Sequence, residues 1–166
     1  HEDEGGVSVL RQITVIGTGG EISEEMRRIA EEVGQMIAEN NAVLICGGKG
    51  GVMEAACKGA KEKSGLTVGI LPGSGDDANR YVDVKVVTEM SDGRNVINVK
   101  SGDSVIVIGG GPGTLSEIGF ALNAGKKVVV IKPSGGVAEM VAGKIVGNQR
   151  VISVDSVNQA IQKVFS

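Results

Sequence analysis

Two glycine-rich turns hold the residues of this 166-residue chain best suited to chemistry. The first is Cys46-Gly47-Gly48-Lys49-Gly50-Gly51-Val52-Met53 and the second is Gly109-Gly110-Gly111-Pro112-Gly113-Thr114-Leu115-Ser116-Glu117. Each joins an all-apolar run to a segment of helical period. A strand that ends in glycine and opens directly into a helix leaves the first helical N–H groups unpaired, with the positive end of the helix dipole behind them. Such a turn is an anion cradle. Taken singly, each could be only a tight strand-to-helix turn; their repetition points to a ligand with phosphate or similarly charged oxygens. Two side chains add charge to this picture. Glu117 is expected in the first turn of its helix, where the dipole stabilises a carboxylate and the Gly111, Gly113 and Thr114 donors can hold an anion or a sugar. Arg94, behind Ser91-Asp92-Gly93 at a predicted helix start, offers a fork of donors suited to phosphate, although spacing alone equally allows a surface ion pair. Lys49 could reach a phosphate or simply stand solvated.

The elements that must position these residues alternate along the chain. Ile13 to Ile16, Ala42 to Cys46, Thr67 to Leu71, Asp83 to Val87, Ser104 to Ile108, Lys127 to Ile131 and Val151 to Val154 read as strands, several apolar on both faces as buried parallel strands must be. Between them lie helical stripes. Met26, Ile29, Ala30, Val33 and Ile37 form one behind Ser23 as N-cap, and Val52, Ala55, Ala56 and Gly59 form another. Val157, Ala160, Ile161 and Val164 close the chain, with Asp155 as the expected cap. On the helix after the second cradle, a helical wheel puts Leu115, Ile118, Gly119 and Leu122 on one face and Glu117, Phe120, Ala121 and Ala124 on the other. This alternation predicts an α/β fold: a single doubly wound, mainly parallel Rossmann-like sheet of about seven strands with helices on both faces. Such sheets bind ligands in the crevice beyond their strand ends.

Composition sets the limits. With 41% hydrophobic residues the chain can bury one good core, so residues 7–166 read as one domain behind a polar leader, His1 to Gly6, of disordered or expression-derived character. The net charge of −3 provides no field to attract nucleic acid or an anionic membrane, so an anionic ligand must be held by local geometry. Histidine chemistry is disfavoured, because the one histidine is His1. Cys46 and Cys57 are too few for a zinc site or a disulfide framework and read as small buried hydrophobes; no metal site is expected. Neither a membrane-spanning run nor a signal peptide is legible, and the chain reads as cytoplasmic.

Known phosphate motifs fit poorly. The dinucleotide fingerprint fails because Gly17-Thr18-Gly19-Gly20-Glu21-Ile22 has Ile at the third glycine position and the second strand ends without an acid. No Gly-Lys is followed by Ser or Thr, so there is no Walker loop. A pyridoxal enzyme would need a Schiff-base lysine in a site that also holds the pyridinium nitrogen, and nothing marks one.

Gly51-Val52-Met53-Glu54-Ala55-Ala56, the Arg94-Asn95 pair and Gly110-Gly111-Pro112-Gly113-Thr114-Leu115-Ser116-Glu117-Ile118 resemble the Lonely Guy (LOG)-like Rossmann superfamily, in the right order over roughly residues 11 to 132. Its members include cytokinin-activating phosphoribohydrolases, proteins once labelled lysine decarboxylases, and molybdenum cofactor carrier proteins. The hydrolases carry PGGxGTxxE and an Arg-Lys pair. Here Gly109 stands in place of the proline and Asn95 in place of the lysine; both departures look like the carrier branch, as does Leu71-Pro72-Gly73.

The resemblance implies a ligand site made by Gly17, Thr18, Gly47, Gly48, Gly50, Gly51, Met53, Arg94, Asn95, Gly110, Gly111, Gly113, Thr114 and Glu117. Two functions stay open. One is a non-catalytic carrier that binds molybdenum cofactor or a nucleotide as its ligand, with no cofactor required. The other is a nucleoside 5′-monophosphate phosphoribohydrolase in which Arg94 and Glu117 are the catalytic pair for N-glycosidic cleavage, a reaction that needs a carboxylate near the developing oxocarbenium ion. The expected partner is a phosphorylated small molecule, with no nucleic acid and no membrane. A homodimer or homotetramer is also expected, because Phe120 would otherwise place one of few aromatics in water.

Overall fold

In a computed structural model that describes residues 9–166, the seven predicted runs form one sheet in which every pairing is parallel. Its strands are β1 (Gln12–Gly17), β2 (Val43–Cys46), β3 (Leu66–Leu71), β4 (Val84–Val87), β5 (Ser104–Ile108), β6 (Lys127–Ile131) and, after a hairpin of β7 (Ile145–Val146) and β8 (Gln149–Arg150), β9 (Ile152–Val154). The order across the sheet is β4-β3-β2-β1-β5-β6-β9. The predicted strand ends are met to within one residue. The strands could be read because β2 and β5 are buried at every position and β1 and β6 at all but their ends, which leaves continuous β-branched runs. The predicted leader, His1 to Gly6, lies outside the described residues.

Helices cover both faces. Those of one face are α1 (Glu24–Glu39), α2 (Val52–Glu62) and α6 (Val157–Val164), which share a core with Ile13, Val15, Leu44 and Ile106. On the other, α3 (Arg94–Ser101), α4 (Pro112–Asn123) and α5 (Gly136–Val141) pack Val99, Ile118, Leu122 and Val137 against Ile16, Val105, Val107 and Val130. Neither α5 nor the β7–β8 hairpin is expected from the sequence, since α5 opens on Gly135-Gly136 and each hairpin strand is two residues long.

Two local expectations need correction. The cap of α6 is Ser156, not Asp155: Ser156 Oγ accepts from the Gln159 N–H at 3.2 Å, while the Asp155 N–H donates to Gln159 Oε1 at 2.8 Å. The Gln159 side chain thus reaches back to the backbone N–H one residue before the cap, a near relative of the capping box. The faces of α4 also differ from the helical wheel. Thr114, Ile118, Ala121 and Leu122 are the buried stripe, whereas Leu115 and Gly119 are exposed with Phe120 and Ala124. A polar anchor is part of the reason: Thr114 Oγ1 donates to the Gly17 carbonyl at 3.3 Å, which favours a rotation of the helix that apolarity alone does not select. On α1, by contrast, Ser23 caps as expected, accepting from the Met26 N–H at 3.1 Å.

The pair α1 and α2 approaches closely through reciprocal glycines. A Cβ on Gly34 would overlap the Ala56 carbonyl, and one on Gly59 would overlap the Glu31 carbonyl. In an open helix Gly→Ala gains about 1 kcal/mol from propensity. Here that gain opposes a clash with backbone, where overpacking costs about 1–3 kcal/mol. Gly59→Ala is therefore expected to lower stability on balance; a urea midpoint equal to or above that of the wild type would contradict this account of the helix contact.

Candidate ligand-binding site

The chain builds β1 to β4 outward on one side and then returns to lay β5 against the other side of β1. The connections leaving β1 and β5 turn to opposite faces, so their ends separate, and such a switch point is where open α/β sheets form a crevice. A cavity of about 410 Å³ lies there. Of the predicted site residues it is lined by Gly17, Thr18, Gly47, Met53, Arg94, Asn95, Gly111, Gly113, Thr114 and Glu117. Val15, Ile16, Gly19, Asp92, Asn98 and Pro112 also line it.

Gly48, Gly50, Gly51 and Gly110 were expected in the site and do not line this cavity. In the first turn, the Gly48 N–H donates to Cys46 Sγ at 3.3 Å, and a Cβ on Gly48 would press into Leu71. Asn79 closes over the turn, its backbone N–H bonding the Gly48 carbonyl and its Nδ2 bonding the Lys49 carbonyl, each at 2.8 Å. Gly51 adopts φ 68 and lies against Thr18, whose carbonyl accepts the Val52 N–H at 2.9 Å. Much of this turn is thus bound to the protein itself. Gly47 and Met53 are its members that reach the cavity. Lys49 forms an ion pair with Asp77.

The second turn is more open. Gly110 is internal: its N–H donates to Thr18 Oγ1 at 2.8 Å and its carbonyl accepts from Val137. Beyond it, Gly111 caps α4 without a side-chain bond and Pro112 has no N–H to satisfy. The N–H groups of Gly113 and Thr114 are then the first amide donors of the helix, with no acceptor one turn back, and both residues line the cavity. A Cβ on Gly111 or Gly113 would meet nothing within 4 Å, so both glycines border open space.

Arg94 opens α3 after a 3-10 turn over Ser91–Gly93, as expected. Its Nη1 donates to the Ile70 carbonyl at 3.2 Å, and the guanidinium lies so close to Gly47 that a Cβ there would overlap it. Glu117 approaches from α4, in its second turn rather than its first, because the helix begins at Pro112. Asn98 Nδ2 donates to Glu117 Oε2 at 3.0 Å. Burial pushes the Glu117 carboxyl pKa up, against the opposing pull of the Asn98 bond and the Arg94 charge. The cavity wall therefore carries backbone donors and a guanidinium suited to an anion, together with the carboxylates of Asp92 and Glu117.

Below the first turn, Cys46 Sγ and Cys57 Sγ lie 3.5 Å apart as free buried thiols. The bond to Cys46 and burial both push the Cys57 thiol up, which keeps it protonated. Among the described residues no group of three or more His, Cys, Asp or Glu side chains could hold a metal ion, and no helix is long and apolar enough to cross a membrane.

Comparison with known proteins places the arrangement in context. The model of a family described as the SLOG cluster4 family matches residues 10–161. An uncharacterized protein of Archaeoglobus fulgidus is 55% identical over 75% of this chain and 82% of its own length. The solved structure of the molybdenum cofactor binding protein from the phototrophic bacterium Rippkaea orientalis is similar with a TM-score of 0.87 and 34% identity, covering 96% of this chain and 98% of that one. A cytokinin riboside 5′-monophosphate phosphoribohydrolase of Mycobacterium tuberculosis is 28% identical over 83% of this chain and 84% of its own.

The raised Glu117 pKa has a defined sign for stability. The native protein retains the Glu117 proton at pH values where the unfolded chain has released it, so its favourable contribution is full below the ordinary value of 4.5 and is lost as pH rises through the raised native value. Glu117→Gln is expected to fall behind wild type less, or to gain on it, as pH is taken from about 4 to about 7. Urea unfolding at both pH values measures this, and identical pH dependence in the two proteins would contradict it.

Proposed function

The chain belongs to the SLOG cluster4 family, and from that premise we propose that it binds and carries a phosphorylated small molecule, a pterin of the molybdenum cofactor type or a nucleotide. The observation that carries this reading is the likeness to the molybdenum cofactor binding protein over nearly the whole of both chains. The residues present suit such a ligand. Its phosphate would meet the Gly113 and Thr114 N–H groups and the Arg94 guanidinium, while Glu117 and Asn95 would meet groups further from the charge. The cavity volume of about 410 Å³ falls within the range of small-molecule sites. The ligand is cargo in this reading, so the chain's own task is to bind it, orient it and shelter it from water.

A second reading is supported by Arg94 and Glu117 lining one cavity and by the likeness to the phosphoribohydrolase. In it, a nucleoside 5′-monophosphate is held by its phosphate while the N-glycosidic bond breaks and the base leaves with the electron pair; the Glu117 carboxylate stabilises the oxocarbenium ion, water adds to the sugar, and the proton the water loses balances the one the base gains. Asn95 and Gly109, which stand where the hydrolase pattern has lysine and proline, favour the carrier.

The two readings separate in one set of assays. For the carrier, Arg94→Ala should weaken a phosphorylated ligand by about 2 kcal/mol or more, roughly thirtyfold, with no free base released from any of a panel of nucleoside monophosphates. Gly113→Asp should weaken it too without unfolding the protein, because the added side chain enters open space and places a negative charge before the donors. Native mass spectrometry of freshly purified protein identifies the ligand. Base release abolished by a folded Glu117→Gln variant would replace the carrier with the hydrolase.

We also propose a homo-oligomer that covers the outer face of α4. Phe120 is 42% exposed on that face. Phe120→Glu should lower the mass measured by light scattering; a wild-type monomer, unchanged by the substitution, would rule the assembly out.

A further inference from the structure

Asn98 joins the two helices that carry the charged residues of the cavity, and its own bonding is unbalanced. It stands on α3 one turn beyond Arg94 and is 1% exposed. Its backbone carbonyl accepts from Thr14 Oγ1 at 2.8 Å, which ties α3 to β1 whatever side chain occupies the position. The side chain crosses to α4, where Nδ2 donates to Glu117 Oε2 at 3.0 Å. Its other polar atom, Oδ1, is buried and has no hydrogen-bond partner among the described residues. A buried amide with one end unpaired is a poor fastener, since an apolar side chain of the same shape would fill the space without leaving an orphaned acceptor. The end that is paired gives the asparagine its role.

We propose that Asn98 is the positioning residue of this site: its amide holds the Glu117 carboxylate toward α3, in its charged form, at the orientation in which it meets a ligand. The amide cannot serve with its ends exchanged while Glu117 is ionised, because Oδ1 would then face a carboxylate that has no proton to give. The charge on Glu117 thus fixes the amide, and the amide stabilises the charge. Other groups around Glu117 do not replace this bond. Arg94, on the same face of α3, lowers its pKa from a distance without a direct ion pair, and Asp92 lies in the turn before α3. Cys46, at the end of β2, is a buried thiol that feels the Glu117 charge. Among the further charged residues of elements packed on α4, Lys100 and Glu139 are exposed, and Lys127 reaches the Lys163 carbonyl at 2.8 Å.

This assignment rests on the binding reading only for its functional consequence, so the test begins without a ligand. Carboxyl-carbon NMR titration of wild type and Asn98→Leu should show the Glu117 midpoint rising by about one to two pH units in the variant, the worth of a lost bond to a charged acceptor. Circular dichroism establishes that the variant is folded; if it is not, Asn98→Ser, which is smaller, takes its place and should shift the midpoint in the same direction. Calorimetric titration with adenosine 5′-monophosphate across the same pH range should then show the pH dependence of affinity moving up with the Glu117 midpoint. In a Glu117→Gln background, Asn98→Leu should change that affinity by less than about twofold, since the residue acts through the charge that has been removed. A Glu117 midpoint unmoved in a folded variant would overturn the proposal. Failure of wild type to bind the nucleotide at any pH would instead count against the nucleotide form of the binding reading and leave the NMR result to decide the role of Asn98.

Discussion

A parallel sheet ends all its strands at one edge, and no strand can cap the edge of its neighbour. In this protein the consequence is greatest between β1 and β5, which are hydrogen-bonded from Ile13 and Ser104 to Gly17 and Ile108 and then continue into helices on opposite faces. The crevice follows from that divergence. Thr18 stands at its base and braces it, donating its N–H to the Ile108 carbonyl at 3.3 Å, accepting the Val52 N–H on its own carbonyl and accepting the Gly110 N–H on Oγ1. One residue after β1 thereby links the turns that follow β2 and β5. Glycine is required beside it for the same reason: a Cβ on Gly17 would overlap the Ile108 carbonyl, and the backbones could not come so close.

The division of labour between the two turns follows from how each is satisfied. Near-identical sequences of glycine suggest equivalent cradles, yet an N–H is available to a ligand only if the protein has not already used it. Thr18, Cys46 and Asn79 take up much of the polar backbone of the first turn, whereas Gly113 and Thr114 begin a helix that has no capping side chain. The same reasoning separates the cations. Lys49 lies in the expected loop but pairs with Asp77, while Arg94 stands within the cavity wall with one bond to a neutral carbonyl. Arginine suits that place because its planar fork can retain the Ile70 carbonyl and still present other donors to an anion.

The sheet was legible because burial on both faces leaves a mark in the order of residue types, and β5 and β6 were bounded to the residue. Much of the cavity wall was legible too, from glycine at strand ends and from the Arg94 and Glu117 segments. What could not be read depends on contacts between distant segments. That Gly48, Gly51 and Gly110 serve packing and turns rather than the cavity is decided by Leu71, Thr18 and Thr114 lying against them. The rotation of α4 escaped the helical wheel because Leu115 is as apolar as Ile118 and Leu122 and was grouped with them, whereas the bond from Thr114 to Gly17 is part of what turns Leu115 outward. Asn98 carried a faint signal, one turn after Arg94 on the same helical face, but its meaning requires knowing that α4 brings Glu117 within 3.0 Å.

The placement of Glu117 ties the fold to the function. A carboxylate buried at a switch point is disfavoured by desolvation and favoured by whatever donors and cations the neighbouring elements provide. Here those are Asn98 and Arg94, both on α3, which pull the Glu117 pKa down against the larger upward push of burial. Either function makes use of that coupling. A carrier gains a carboxylate that can accept from ligand hydroxyl or N–H groups while the anion is held elsewhere, and a hydrolase gains a negative charge opposite a developing positive one. The carboxylate alone therefore does not distinguish them. The distinction lies beside it, at Asn95, where the hydrolase pattern has a cation and this chain has a neutral amide. A lysine there would add a second positive charge to the group of residues that holds the substrate; asparagine leaves Arg94 as the cation lining the cavity and supplies an amide able both to donate and to accept. In the carrier reading proposed above, such a wall would hold a polar ligand in one orientation.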